Sequence, residues 1–148
     1  MKKYLAYGAN LDVETMARRC PQAKLLWTGI LENYRLLFKG EHLTSSFATI
    51  EPWEGFKVPY VLWTLTEADE KSLDRFEGYP NHYLKGTVEV EGIEAMYYFK
   101  PPEQPTKPPI MHYYEALVKA YDYHGFDKKI LEAAMEFSDF KPWERKSN

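Results

Sequence analysis

Lys3-Tyr4-Leu5-Ala6-Tyr7-Gly8-Ala9-Asn10-Leu11 is the stretch around which the rest of the chain is organised. Tyr4 to Tyr7 is an apolar run with no alternation, the pattern of a strand buried on both faces. Gly8 gives the turn conformational freedom, and Asn10 and Asp12 are good helix-capping residues. Val13, Met16 and Cys20 then recur at helical spacing. A strand turning sharply into a helix leaves backbone N–H groups unpartnered and aimed at one point, which suits an anion. An ordinary glycine turn carries the same letters, so the residues alone leave both readings open.

Working outward, Pro21 disfavours helical geometry before it and should stop the first helix near Cys20. Leu25 to Phe38 is rich in β-formers, interrupted by Gly29 and Asn33 and closed by Gly40. Phe47 to Ile50 reads as a short strand, Pro52 and Gly55 as a loop, and Val58 to Leu65 as a central strand with Pro59 at its start. Thr66 and Asp69 form a capping box opening a helix from Glu67 to about Phe76, with Gly78 as its C-terminal cap. Lys85 to Lys100 has hairpin patterning around Gly92. Pro101, Pro102, Pro105, Pro108 and Pro109 make the next segment a stiff surface loop. Met111, Tyr114, Leu117, Val118 and Tyr121 form a helical stripe, a further helix begins at Asp127 with Ile130, Leu131 and Ala134 inward, and the tail over 139–148 is loose. Five to seven strands without regular βαβ alternation indicate an α+β fold, a small mixed or antiparallel β-barrel with flanking helices, in a single domain over 1–148.

The composition narrows the function. A 45% apolar share indicates a globular chain, and twelve tyrosines with eight phenylalanines suit β-structure and an aromatic-walled cleft. A net charge of −3 argues against nucleic-acid binding, which needs clustered Lys and Arg. Cys20 is alone, so neither an internal disulfide nor a thiolate metal site is expected. With no signal peptide or apolar span of membrane length, the expectation is a cytoplasmic protein that does not bind membranes. The scattered His42, His82, His112 and His124 accompany no triad signature and receive no catalytic role.

Glu77 is the candidate for chemistry. It falls at a helix C-terminus, where the dipole disfavours a carboxylate, between Phe76 and Tyr79, which would add desolvation. Both effects raise a carboxyl pKa toward the range useful for acid/base catalysis. A solvated helix-end glutamate, or an exposed pair with Asp74, is the plainer reading of the same residues.

Tyr7-Gly8-Ala9-Asn10-Leu11 resembles the Tyr-Gly-Ser-Asn-Leu motif of the γ-glutamylcyclotransferase-like (AIG2-like) family. In the same order, so do Arg19-Cys20-Pro21-Gln22-Ala23, Phe47-Ala48-Thr49-Ile50-Glu51-Pro52 and Val61-Leu62-Trp63. Leu73-Asp74-Arg75-Phe76-Glu77-Gly78, Tyr83, Tyr113, Ala120-Tyr121 and His124-Gly125-Phe126 extend the likeness to about residues 3 to 135. Ala9 replaces the family's serine, Tyr60 and Ala120 stand at common glycines, and Ile110 replaces a serine; these departures bear on substrate choice.

The resemblance implies an enzyme that expels an amine from a γ-glutamyl amide as the glutamyl α-amine attacks its own side-chain carbonyl, giving 5-oxoproline. It implies Glu77 as general acid/base, with Tyr7, Gly8, Ala9, Asn10, Leu11 and Tyr113 holding a small γ-glutamyl amine or dipeptide. No metal or cofactor is implied. A catalytically silent metabolite-binding relative would keep the same loop. Neither the leaving amine nor a homodimer is fixed by the sequence.

Overall fold

A computed structural model describes residues 1–138. The tail over 139–148 lies outside the described residues. The elements are β1 (Lys2–Ala6), α1 (Val13–Arg19), β2 (Lys24–Lys39), β3 (Phe47–Leu65), α2 (Glu67–Glu77), β4 (Leu84–Val90), β5 (Ile93–Phe99), α3 (Met111–His124) and α4 (Lys129–Ser138). The strands form one five-stranded mixed sheet in the order β2-β3-β1-β5-β4. β1 runs antiparallel to β3 and parallel to β5, and it joins the β2–β3 ribbon to the β4–β5 hairpin.

The α+β class holds, but the barrel is corrected to an open sheet. Between β5 and α3 the chain could have added a strand beside β2, yet its prolines have no N–H to give a ladder. The segment makes one bridge, Lys39 with Thr106, with Gly40 N–H donating to Pro105 O (3.1 Å) and Lys107 N–H to Phe38 O (3.1 Å).

The loop expected at Pro52 and Gly55 is also corrected, because β3 continues through it. The register jumps from Glu32/Lys57 to Tyr34/Pro52, so residues 53–56 bulge opposite the single residue Asn33. Asn33 takes a left-handed φ of 63°, and its Oδ1 accepts the Gly55 N–H at 3.1 Å. The side-chain amide does locally what a second turn would have done.

Local signals set the remaining elements. Asp12 caps α1 by accepting from Thr15 N–H (3.0 Å). Thr66 and Asp69 close both halves of the capping box on α2 (3.0 and 3.3 Å). Glu91 and Gly92, at φ 49° and 75°, make the two-residue turn between β4 and β5. On α3, Leu117, Ala120 and Tyr121 face the core, but Met111, expected on the same stripe, is the first residue of the helix and is 59% exposed. Asp127 caps α4 through Lys129 N–H (3.0 Å), so that helix begins two residues later than expected. Among the described residues no helix is long and apolar enough to cross a membrane.

Candidate active site

The end of α2 fixes Glu77. Gly78 adopts a left-handed φ of 67°, its N–H donates to Arg75 O (3.2 Å), and Tyr79 N–H donates to Asp74 O (2.9 Å). This is a Schellman closure, with Glu77 the last helical residue. A Cβ added at Gly78 would also stand 2.5 Å from His82 Cδ2. Gly78→Ala is therefore expected to lower stability by ~1–2 kcal/mol, read by thermal melting; an unchanged melting temperature would refute this account of the cap.

The same helix is pinned to the sheet one turn earlier. Asp74 accepts from Tyr98 Oη (2.6 Å), and Lys85 Nζ bridges Asp74 (2.8 Å) and Glu70 (2.7 Å). Tyr98 packs edge-on against Tyr4, with ring centres 5.7 Å apart.

Asn10 connects this helix end to the first turn of the chain. It is 2% exposed, and its Nδ2 donates to Tyr4 Oη (2.8 Å) and to Glu77 Oε1 (3.0 Å). Its Oδ1 accepts from Arg19 Nη1 at 2.9 Å. A guanidinium only donates, so Arg19 settles which end of the amide faces Glu77: the NH₂ does. Trp63 Nε1 donates to the Asn10 carbonyl (3.1 Å) and ties the turn to β3.

Burial raises the pKa of the Glu77 carboxyl; the Arg19 charge and the Asn10 amide pull it back without cancelling the rise. The direction is the expected one, and its largest cause is desolvation of the carboxyl by burial. Glu77 opens into a cavity of about 450 Å³, whose walls include Gly8, Ala9, Asn10, Arg19, Lys100 and Tyr113. Burial likewise keeps Tyr4, Tyr7, Tyr83, Tyr98 and Tyr113 as neutral phenols by raising their pKa values.

The structure brings together all but one of the residues named from the sequence. Tyr7 walls the cavity, with its hydroxyl proton committed to Tyr98 O (2.7 Å). Gly8, Ala9 and Asn10 line it at the start of the short 3₁₀ turn Ala9–Leu11, where backbone N–H groups lack partners within the turn. Leu11 is the correction. It is fully buried, its N–H donates to Gly8 O (2.9 Å), and its carbonyl faces His124 Nε2 (2.7 Å), so both its backbone groups are spent inside the protein. Gly8 has a φ of −124°, outside the left-handed region. A Cβ would sit 3.4 Å from both Ala48 Cβ and Tyr113 Oη, on the cavity wall. Of the four departures from the family pattern, Ala9 lines the cavity; Tyr60 packs over Gly29, Ala120 is buried on α3, and Ile110 is exposed.

Tyr113 lies between Phe38 and Phe47 (ring centres 6.5 and 5.1 Å away), and its Oη accepts the Ala48 N–H at 3.1 Å. Among the described residues its own hydroxyl proton has no acceptor, which leaves it for a ligand. Tyr113→Phe is expected to cost about 1 kcal/mol of stability through the orphaned Ala48 amide. Substrate KM should rise with kcat little changed, and kinetics identical to wild type would make Tyr113 a core residue only.

Arg19 and Lys100 were not singled out as site residues from the sequence. Arg19 had a signal, as the last residue of the helix between the Asn10 turn and Pro21; its guanidinium also lies 4.8 Å over the Phe76 ring. Lys100 had none beyond its place before Pro101.

The model of the family described as gamma-glutamyl cyclotransferase, AIG2-like, matches residues 4–116. Comparison with curated proteins gives no match. Among solved structures, one described as gamma-glutamyl cyclotransferase superposes with a TM-score of 0.77 at 24% identity, covering 95% of this chain and 88% of that one. An uncharacterized protein from Homo sapiens gives 0.77 at 25% identity, covering 95% and 90%. YkqA from Bacillus subtilis gives 0.73 at 17%, covering 95% of this chain and 55% of that one. Since the family model matches residues 4–116, most of this chain, and the fold is shared, this chain belongs to the gamma-glutamyl cyclotransferase, AIG2-like family.

Proposed function

We propose that the chain cyclises γ-glutamyl amides, releasing 5-oxoproline and a free amine, with Glu77 as the general acid/base. The observation that carries this reading is the half-buried carboxyl of Glu77 on the cavity wall, held through Oε1 by Asn10 while, among the described residues, Oε2 has no hydrogen-bond partner. An amino acid's α-amine is mostly protonated near neutral pH, so a base must free its lone pair. Glu77 takes that proton, and the nitrogen attacks the γ-carbonyl carbon. The new C–N bond closes the five-membered ring, and the carbonyl oxygen becomes an oxyanion. The Gly8–Asn10 amides are the donors for that oxyanion, and the Tyr113 hydroxyl donates to the α-carboxylate. Glu77 gives that proton to the leaving nitrogen and then takes the second proton, which the ring nitrogen sheds on becoming an amide; the old C–N bond breaks, and the second proton goes to the departing amine, which leaves as an ammonium and restores the carboxylate. Holding the chain folded for ring closure supplies much of the acceleration, since an oriented intramolecular attack avoids the entropy of encounter.

The test is a panel of γ-glutamyl amides assayed by mass for 5-oxoproline and the paired amine. Equimolar appearance of both supports the reading. Saturable binding of 5-oxoproline or of the amides with no amine released would establish a metabolite-binding protein instead.

A further inference from the structure

Among the described residues two lysines are buried, and they are treated differently. Lys39, 7% exposed, pairs with Glu51 and donates to Pro102 O (2.8 Å). Lys100, 4% exposed, lines the cavity, and among the described residues no carboxylate lies within ion-pair distance of its Nζ. One of its three ammonium donors is spent on Ser45 O (2.8 Å). The position is built. Pro101 restricts the backbone before it, and Lys100 N–H donates to Thr49 Oγ1 at 2.9 Å. The Nζ stands 5.3 Å from the Phe47 ring centre and 5.6 Å from that of Tyr83. Burial lowers its pKa, and an anion beside it would offset that cost.

Its place along the cavity identifies which anion. The α-amine that Glu77 deprotonates and the α-carboxylate share one carbon, so the glutamyl head sits at the Glu77–Asn10–Arg19 end. The wall next to that end includes Gly8 and Tyr113; the Tyr113 ring centre is 5.1 Å from that of Phe47, and Lys100 Nζ is 5.3 Å from the Phe47 centre. The charge of Glu41 offsets part of the cost of burying Lys100, from outside ion-pair distance. An amine leaving from the γ-carbonyl extends away from the glutamyl head.

We infer that Lys100 is a specificity-determining residue that binds a carboxylate carried by the leaving amine, selecting γ-glutamyl amides of anionic amines over those of neutral ones. This rests on the cyclotransferase reading. Carboxylate binding by a buried ammonium is a charge-assisted hydrogen bond, and its loss costs roughly tenfold to hundredfold in kcat/KM.

The experiment compares γ-glutamylalanine with its carboxamide, γ-glutamylalaninamide, which differ only in that charge. The wild type should favour the acid by that factor. Lys100→Met should erase the preference by slowing the acid alone, and Lys100→Arg should keep part of it. Equal wild-type turnover of the two overturns the inference and needs no variant to fold. An equal slowing of both by Lys100→Met overturns it too, leaving Lys100 as a support for the Ser45 turn. Release of 5-oxoproline from neither substrate would refute the cyclotransferase reading itself and the inference with it.

Discussion

Replacing Glu77 by Gln should lower kcat by about 10² to 10⁴-fold, the usual worth of a general acid/base, while leaving the fold intact. Glutamine keeps the volume, and its carbonyl oxygen can still accept from Asn10 Nδ2, which reaches Glu77 Oε1 at 3.0 Å. What it lacks is a lone pair basic enough to take a proton from the α-amine and return it to the leaving nitrogen. KM should move little, because the Gly8–Asn10 amides and Tyr113 are the proposed holders of the glutamyl group. Stability responds with a definite sign. Burial raises the Glu77 pKa, so its extra stability is fully present below the ordinary carboxylate value of 4.5 and is lost as pH rises through the folded-state value. Near neutral pH the ionised carboxylate also faces the negative end of α2. The Gln variant escapes this cost and should melt slightly higher there, by about 0.3–1 kcal/mol, the difference fading toward pH 4. A purely structural Glu77 would give the same melting shift, so turnover decides. Full 5-oxoproline release by Glu77→Gln would refute the assignment.

What the sequence disclosed divides by range. The caps of α2 were legible because Thr66, Asp69 and Gly78 act within their own helix, and the β4–β5 hairpin because its turn is local. The β2–β3 ribbon was split in reading because a bulge centred on Asn33 is signalled by a side-chain bond to Gly55, twenty-two residues away. Of the two aromatic neighbours credited with desolvating Glu77, Phe76 does line the cavity although 58% exposed, whereas Tyr79, 41% exposed, is not among the lining residues. Leu11 was included with the loop because motif letters do not reveal that its N–H closes a 3₁₀ turn. Lys100 was invisible as a site residue, since only the folded sheet shows one buried lysine paired and another not.

Asn10→Asp should give the second large effect, and the change is nearly isosteric, so packing is preserved and electrostatics decide the outcome. The new carboxylate would stand where Nδ2 now donates to Glu77 (3.0 Å) and to Tyr4 (2.8 Å). Glu77 thereby loses a donor that lowers its pKa and gains a like charge that raises it, so both changes push in one direction. Arg19, at 2.9 Å from Oδ1, would pair with the introduced carboxylate and offset only part of this. The two carboxyls would titrate as a pair, one of them retaining its proton well above the ordinary range. The acid limb of the kcat/KM profile, which requires ionised Glu77, should therefore move to higher pH. Turnover at neutral pH should fall by roughly 10 to 10²-fold, since the orientation of Glu77 is lost as well. Because the pair's raised pKa exists only in the folded state, the variant should be near wild-type stability in acid. As pH rises it should lose about 1–3 kcal/mol, the cost of unsatisfied buried charge. Melting curves from pH 4 to 8 and the pH–rate profile on the same sample test this together. A profile that stays in place would mean that Asn10 does not touch the working carboxyl, and Glu77 would lose the partner that positions it for proton transfer.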